Sequence, residues 1–197
     1  VAVAYQGEPP VDQPMAERLA RALAPAFTAK GKKDNFLLIS TDFSHHGSEA
    51  ETIAKDARSA RLFASPSASS WILAGCDNRP GVYVLSRLID RDTRASVLFI
   101  ELGTGDQFEW REYEGRLNAI LDAALAVPVL PVLVTKADAL DMQQGGAPPD
   151  YINTVIRRVA AARDLPLIDF HAATRGLPNF GLLDEGNFDF HLSPEGS

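Results

Sequence analysis

A single cysteine, Cys76, stands among 197 residues. One thiol cannot close an internal disulfide, and it cannot supply a zinc site built on several cysteines. It assigns no compartment, since secreted chains also do without disulfides. No apolar run reaches the length that crosses a bilayer, and the first residues lack the basic-then-apolar pattern of a secretion signal. Localisation stays open between secreted and cytoplasmic, and so does the oligomeric state. A basic footprint is missing as well. Lys and Arg number 19 against 26 Asp and Glu, a formal net charge of −7, which argues against a partner bound through a phosphate backbone. The one basic cluster, Lys30-Gly31-Lys32-Lys33, suits the negative pole of a helix end. Internal repeats and low-complexity tracts are absent too.

What is present describes a globular protein. Hydrophobic residues make up 46% and charged residues 23%, ordinary for a soluble domain. The length fits one domain, residues 1–197, large enough to bury a core without covalent staples.

Strand and helix patterns alternate along the chain. A helix is predicted over residues 12–29, with Met15, Leu19, Ala22, Leu23 and Ala26 at helical spacing and Pro25 set to kink or shorten it. Residues 35–40 read as a buried strand, and a helix over 48–63 opens on a capping box of Ser48 and Glu51. Residues 71–74 read as a short strand, followed by the polar run Gly75-Cys76-Asp77-Asn78-Arg79-Pro80-Gly81 and a helix carrying Val82, Leu85, Leu88 and Ile89. Val97-Leu98-Phe99-Ile100-Glu101-Leu102 is a buried strand that opens into Gly103-Thr104-Gly105-Asp106. A helix with Tyr113, Leu117, Ile120, Leu121 and Ala124 on one face follows. Then come a strand over 129–135 with Pro131 at its start or at a bulge, a long loop over 136–149, a helix over 151–163 and a last strand over 165–170. This alternation is the mark of parallel βαβ units, an α/β fold wound as a three-layer α/β/α sandwich.

In such a sheet the loops after the strands share one edge, and ligands bind there. Residues 41–46, 75–81, 103–106 and 135–138 all fall on that edge, and the tail over 184–191 can fold back across it. A serine, a histidine, carboxylates and glycine N–H groups would then share one crevice. These are the parts of a hydroxyl nucleophile, its base, an orienting acid and an oxyanion hole. The loop over 136–149 borders the crevice, and Gly145-Gly146 would let it move as a lid.

From Gly103 to Gly196 the chain resembles the SGNH (GDSL-type) hydrolases. The likeness is carried by Gly103-Thr104-Gly105-Asp106, Pro131-Val132-Leu133-Val134-Thr135-Lys136-Ala137-Asp138, the helix from Tyr151-Ile152-Asn153, Leu177-Pro178-Asn179-Phe180-Gly181-Leu182, and His191-Leu192-Ser193-Pro194-Glu195-Gly196. The resemblance implies a flavodoxin-like parallel sheet and an esterase or acyl-transfer reaction through a covalent serine intermediate, with no metal or organic cofactor. Its substrate would be a small-molecule or carbohydrate ester.

The residue roles follow with departures. The family's Gly-Asp-Ser block aligns with Thr41-Asp42-Phe43-Ser44, so a gapless match puts Phe43 at the nucleophile; Ser44 is the assigned hydroxyl, with Ser40 behind it. Gly81 matches the oxyanion glycine and Gly75 is its rival. Gly105 occupies the position of the family's oxyanion asparagine, leaving a backbone N–H or the side chain of Asn78 to substitute; Asn78 and Asp106 are assigned to substrate contact. His191 matches the family's base. The acid expected three residues earlier is Phe188 here, so Asp189 is assigned to orient His191, with Asp184 the alternative.

The front half carries a second resemblance. Leu38-Ile39-Ser40-Thr41-Asp42-Phe43-Ser44-His45-His46 is similar to the Ser-Ser-Asp-Phe-Ser-His stretch of Memo-like proteins, relatives of metal-binding redox and dioxygenase-type enzymes. It implies His45, His46 and Cys76 as ligands of a transition metal. A third reading, an inactive SGNH-like domain that only binds a carbohydrate or a partner, follows from the substituted block positions.

Overall fold

The structure, a computed structural model, describes residues 13–27, 35, 37–41, 48–64, 75–76, 78–88, 97–127, 129–143, 146–184, 192–194 and 196. The chain divides into two compact units, Val1–Thr93 and Arg94–Ser197.

The elements described in the first unit are helices. Helix α1 spans Gln13–Leu23 and passes into a single 3-10 turn, Ala24–Phe27, so the helix ends just before Pro25. Helix α2, Glu49–Ala64, starts on the expected capping box: Ser48 N–H and Oγ donate to Glu51 Oε2 at 2.8 and 2.9 Å. Helix α3, Arg79–Leu88, packs on α1 around Ala16, Cys76, Val82 and Tyr83. Tyr83 Oη donates to Glu17, and Arg87 reaches the same carboxylate at 3.2 Å. The strand expected over 35–40 is not formed: residues 35 and 37–41 pair with no strand, and Leu38 is 62% exposed. An apolar run becomes a strand only when another strand accepts its backbone hydrogen bonds. The strand expected over 71–74 lies outside the described residues.

The second unit is a parallel α/β layer. Strands β1 (Val97–Glu101), β2 (Leu130–Val134) and β3 (Leu167–Ile168) lie in the order β1-β2-β3, all parallel, with Ile100 opposite Leu133 and Val134 opposite Ile168. The crossovers run through helix α4 (Trp110–Leu125) and, after the short helix α5 (Leu140–Gln143), helix α6 (Tyr151–Ala162). Two right-handed crossovers stepping the same way across a sheet place both helices on one face, and α4 and α6 pack together. The buried periodicity matches the sequence pattern except at Ile120, which is exposed: Tyr113, Leu117 and Leu121 of α4 meet Ile152, Val155, Ile156 and Val159 of α6 over Ile100 and Leu133. A short helix α7, Phe170–Thr174, and a 3-10 turn, Pro178–Gly181, complete the unit. β1 is not the buried strand expected from its apolar run: Val97, Leu98, Phe99 and Leu102 are exposed and Ile100 alone is buried, because β1 is an edge of the three-stranded sheet; Ile168 is exposed as well.

Pro131 sits inside the central strand without costing a ladder bond. The N–H groups of Leu133 and Thr135 point to the β3 side, to Pro166 O at 3.0 Å and Ile168 O at 3.1 Å. Pro131 shares their parity, so its missing donor faces the stretch before β3 begins.

Candidate functional site

The carboxyl ends of the three strands meet in two polar networks and one crevice. After β1, Gly103 adopts φ +130°, and a Cβ there would stand 2.5 Å from Ile152 Cγ2. Only glycine lets the chain turn over α6 at that point. Thr104 follows, and Gly105 opens the 3-10 turn Gly105–Glu109 with open space around it. Asp106 lies 3.7 Å from Arg116; burial, and after it the Asp106 charge, pushes the Tyr113 phenol up. Tyr113 Oη donates to Leu102 O at 3.1 Å.

After β2 the chain buries a charged cluster. Lys136, 2% exposed, donates from Nζ to Asp138 Oδ1 at 2.8 Å, Asp138 O at 2.9 Å and Asp141 Oδ1 at 2.9 Å. Its backbone is paired both ways with Asn153: Lys136 N donates to Asn153 Oδ1 at 2.9 Å and Asn153 Nδ2 donates to Lys136 O at 3.2 Å. Asp138 Oδ1 also accepts from Leu140 N at 3.2 Å, and Thr104 Oγ1 donates to Asp138 Oδ2 at 2.8 Å, joining the loop after β1 to the loop after β2. Residues 136–141 therefore border the rim as expected, but as a buried and pinned segment rather than a lid. Gly146 packs against the backbone of Gln107 and Phe108, and Gly145 lies outside the described residues.

After β3, Asp169 gathers donors. Arg157 grips it with Nε at 2.8 Å and Nη2 at 3.0 Å, Thr135 Oγ1 donates at 3.0 Å, and Ala172 N at 3.1 Å makes Asp169 the N-cap of α7. The Arg157 guanidinium holds the Asp169 carboxyl down at about 2, from 3.8. His171 N donates to Thr135 Oγ1 at 2.9 Å. The His171 ring, 9% exposed, stacks on Phe180 with centroids 5.7 Å apart, and its Nδ1 has no hydrogen-bond partner.

The tail returns to this rim. Leu182 pairs antiparallel with Leu192, Ser193 N donates to Gly181 O at 2.8 Å, and Gly196 packs on Gly181. A crevice of about 70 Å³ is lined by Glu101, Leu102, Thr104, Lys136, Ala137, Asp138, Phe170 and Leu192. Loops from all three strands and the tail contribute to it.

Of the residues assigned from sequence, Ser44, Asp189 and His191 lie outside the described residues, as do His45 and His46. Gly81 is not in a loop but in the first turn of α3, where its N–H donates to Asn78 Oδ1 at 2.9 Å; Asn78 Nδ2 in turn donates to Ser40 O at 2.9 Å. Asn78 is thus the cap of α3, with both ends of its amide engaged. The rival Gly75 gives its N–H to Ser59 Oγ at 2.8 Å. Ser40 and Asp184 are exposed. Cys76 is buried with Ala16, Val82 and Tyr83. No group of three or more His, Cys, Asp or Glu that could hold a metal ion occurs among the described residues, and no helix among them is long and apolar enough to cross a membrane.

Sequence reasoning gave no role to Lys136, Asp138 or His171. Their signal was position: each follows a strand's carboxyl end within a few residues. Compared with family models, curated proteins and solved structures, the chain matches none.

Proposed function

We propose that the chain is an SGNH-like serine esterase acting through an acyl-enzyme on a small ester or an O-acetylated substrate. Ser44 Oγ attacks the carbonyl carbon while its proton passes to His191, whose other ring nitrogen is oriented by Asp189. Backbone N–H groups around Ser44, Gly81 and Gly105 take up the oxyanion. Collapse of the tetrahedral intermediate breaks the bond to the alcohol, which leaves with the proton from His191. Water then attacks the acyl-serine by the same route, releasing the acid and restoring the hydroxyl. Asp106 and Asn78 contact substrate. Because Asn78 Oδ1 occupies the Gly81 N–H, the oxyanion must displace it to gain that donor.

The observation that carries this reading is the crevice. Leu192, next in the chain to His191, shares it with Thr104 of the Gly-Thr-Gly-Asp turn and with Phe170 after β3. A segment around residue 192 held at the carboxyl rim is what a base at residue 191 requires, and a volume of about 70 Å³ suits a short acyl group. The three-layer, flavodoxin-like architecture belongs to the same proposal: α4 and α6 cover one face of the sheet, and Val97, Phe99 and Ile168 offer apolar surface for a second helical layer.

A fluorophosphonate probe tests the reading. The expected result is one covalent adduct, mapped by mass spectrometry to Ser44 and lost in Ser44→Ala and His191→Ala, while His171→Gln still labels. An adduct on Ser40 would move the nucleophile. Stoichiometric copper or iron without any adduct would favour the metal-binding reading, and neither adduct nor metal, with measurable carbohydrate binding, a binding domain.

A further inference from the structure

We propose that Thr104, Asp138 and Lys136 form a positioning clamp that aims the Gly103-Thr104-Gly105-Asp106 turn at the developing oxyanion; this rests on the esterase reading above. Gly105, at the position of the family's side-chain donor, has only its backbone N–H to offer, and nothing packs within 4 Å of where its Cβ would be. With no side chain at Gly105 to pack against a neighbour, the direction of its N–H is set by the residues next to it in the chain. The neighbour before it, Thr104, is tied by its hydroxyl to Asp138 Oδ2 at 2.8 Å.

Asp138 has little freedom to move. Its other oxygen takes Lys136 Nζ at 2.8 Å and Leu140 N at 3.2 Å, and Lys136 is anchored in turn by Asp141 and by the backbone pairing with Asn153 of α6. The chain of bonds thus runs from the helix layer through a buried ammonium to the turn after β1. One ammonium and two carboxylates are a poor choice for stability alone, because an apolar cluster of the same volume commonly does as well or better. What the charged cluster supplies is a fixed direction for each hydrogen bond. Oxyanion donors require that precision, since a group displaced by about 1 Å can lose about 10² in rate.

The test uses the whole chain hydrolysing p-nitrophenyl acetate, with kcat expressed per Ser44 that labels so that unfolded protein does not enter. Thr104→Val removes the hydroxyl and keeps the shape; Thr104→Ser keeps the hydroxyl. The clamp predicts that T104V lowers kcat by about tenfold or more, with KM within about twofold and the melting temperature within about 4 °C. T104S returns kcat to within about threefold of the parent. A T104V enzyme with parental kcat, or a loss that T104S does not restore, overturns the clamp while the esterase reading stands. A parent chain that neither turns over nor labels at Ser44 overturns both.

Discussion

Two glycines of one turn have opposite freedoms. Gly103 is fixed by its positive φ and by Ile152 Cγ2, which a Cβ would meet at 2.5 Å. Gly105 meets nothing within 4 Å and does not need a positive φ. The asparagine that SGNH hydrolases carry at the resembling position can therefore be introduced. Gly105→Asn is expected to raise kcat on p-nitrophenyl acetate by at least about tenfold, because one oxyanion donor is typically worth about 10²–10³ in rate. An unchanged or lower kcat in a variant that melts like the parent contradicts the assignment of this turn to the oxyanion. The substitution at Gly105 was visible in the sequence, because it concerns identity at one place in a motif. The constraint on Gly103 was not, since Ile152 is 49 positions away and meets it only in the fold. Lys136 and Asp138 were legible as rim residues, but the hydrogen bond from Thr104 to Asp138 was not, for the same reason. His171 escaped notice because a lone histidine after a strand carries no motif, and only burial with an unpartnered Nδ1 distinguishes it.

Among the elements, those with a long amphipathic period were the most legible. The apolar spacing of α6, and of α4 apart from the exposed Ile120, matched the faces they bury, because a helix makes its own hydrogen bonds and needs the rest of the fold only to choose a side. Strands depend on partners. The apolar run at 165–170 reduces to Leu167–Ile168, since β3 pairs only with the last two residues of β2. Asp169 links three elements, capping α7 while receiving Arg157 of α6 and Thr135 after β2. Its pKa falls on folding, from 3.8 to about 2, so the stability it contributes is complete above pH 4 and is lost as the pH drops through 2. The gap in urea midpoint between the parent and Asp169→Asn should therefore be widest at pH 5–7 and close by about pH 2. A gap that holds constant across that range would show that the carboxylate's charge is not what Arg157 stabilises.

At the scale of the molecule, parallel strands in the order β1-β2-β3 bring Gly103–Asp106, Lys136–Asp138 and Asp169–His171 to one rim, although these segments are separated by about thirty residues each. For residues 103–106 and 135–138 that convergence was legible in the alternation of strands and helices; the strand expected ahead of residues 41–46 is not formed, and the expectation did not extend to 169–171. The return of the tail was legible as a possibility of the topology; its physical basis is the Leu182–Leu192 bridge and the close packing of Gly181 on Gly196. The central proposal is that the His191 imidazole meets the Ser44 hydroxyl. The most direct measurement is the distance between Ser44 Oγ and His191 Nε2 in a crystal structure of the whole chain. A separation of about 2.6–3.2 Å, with Asp189 on the opposite ring nitrogen, is the predicted result. A His191 out of reach of both Ser44 and Ser40 and turned away from the strands' carboxyl ends would contradict it.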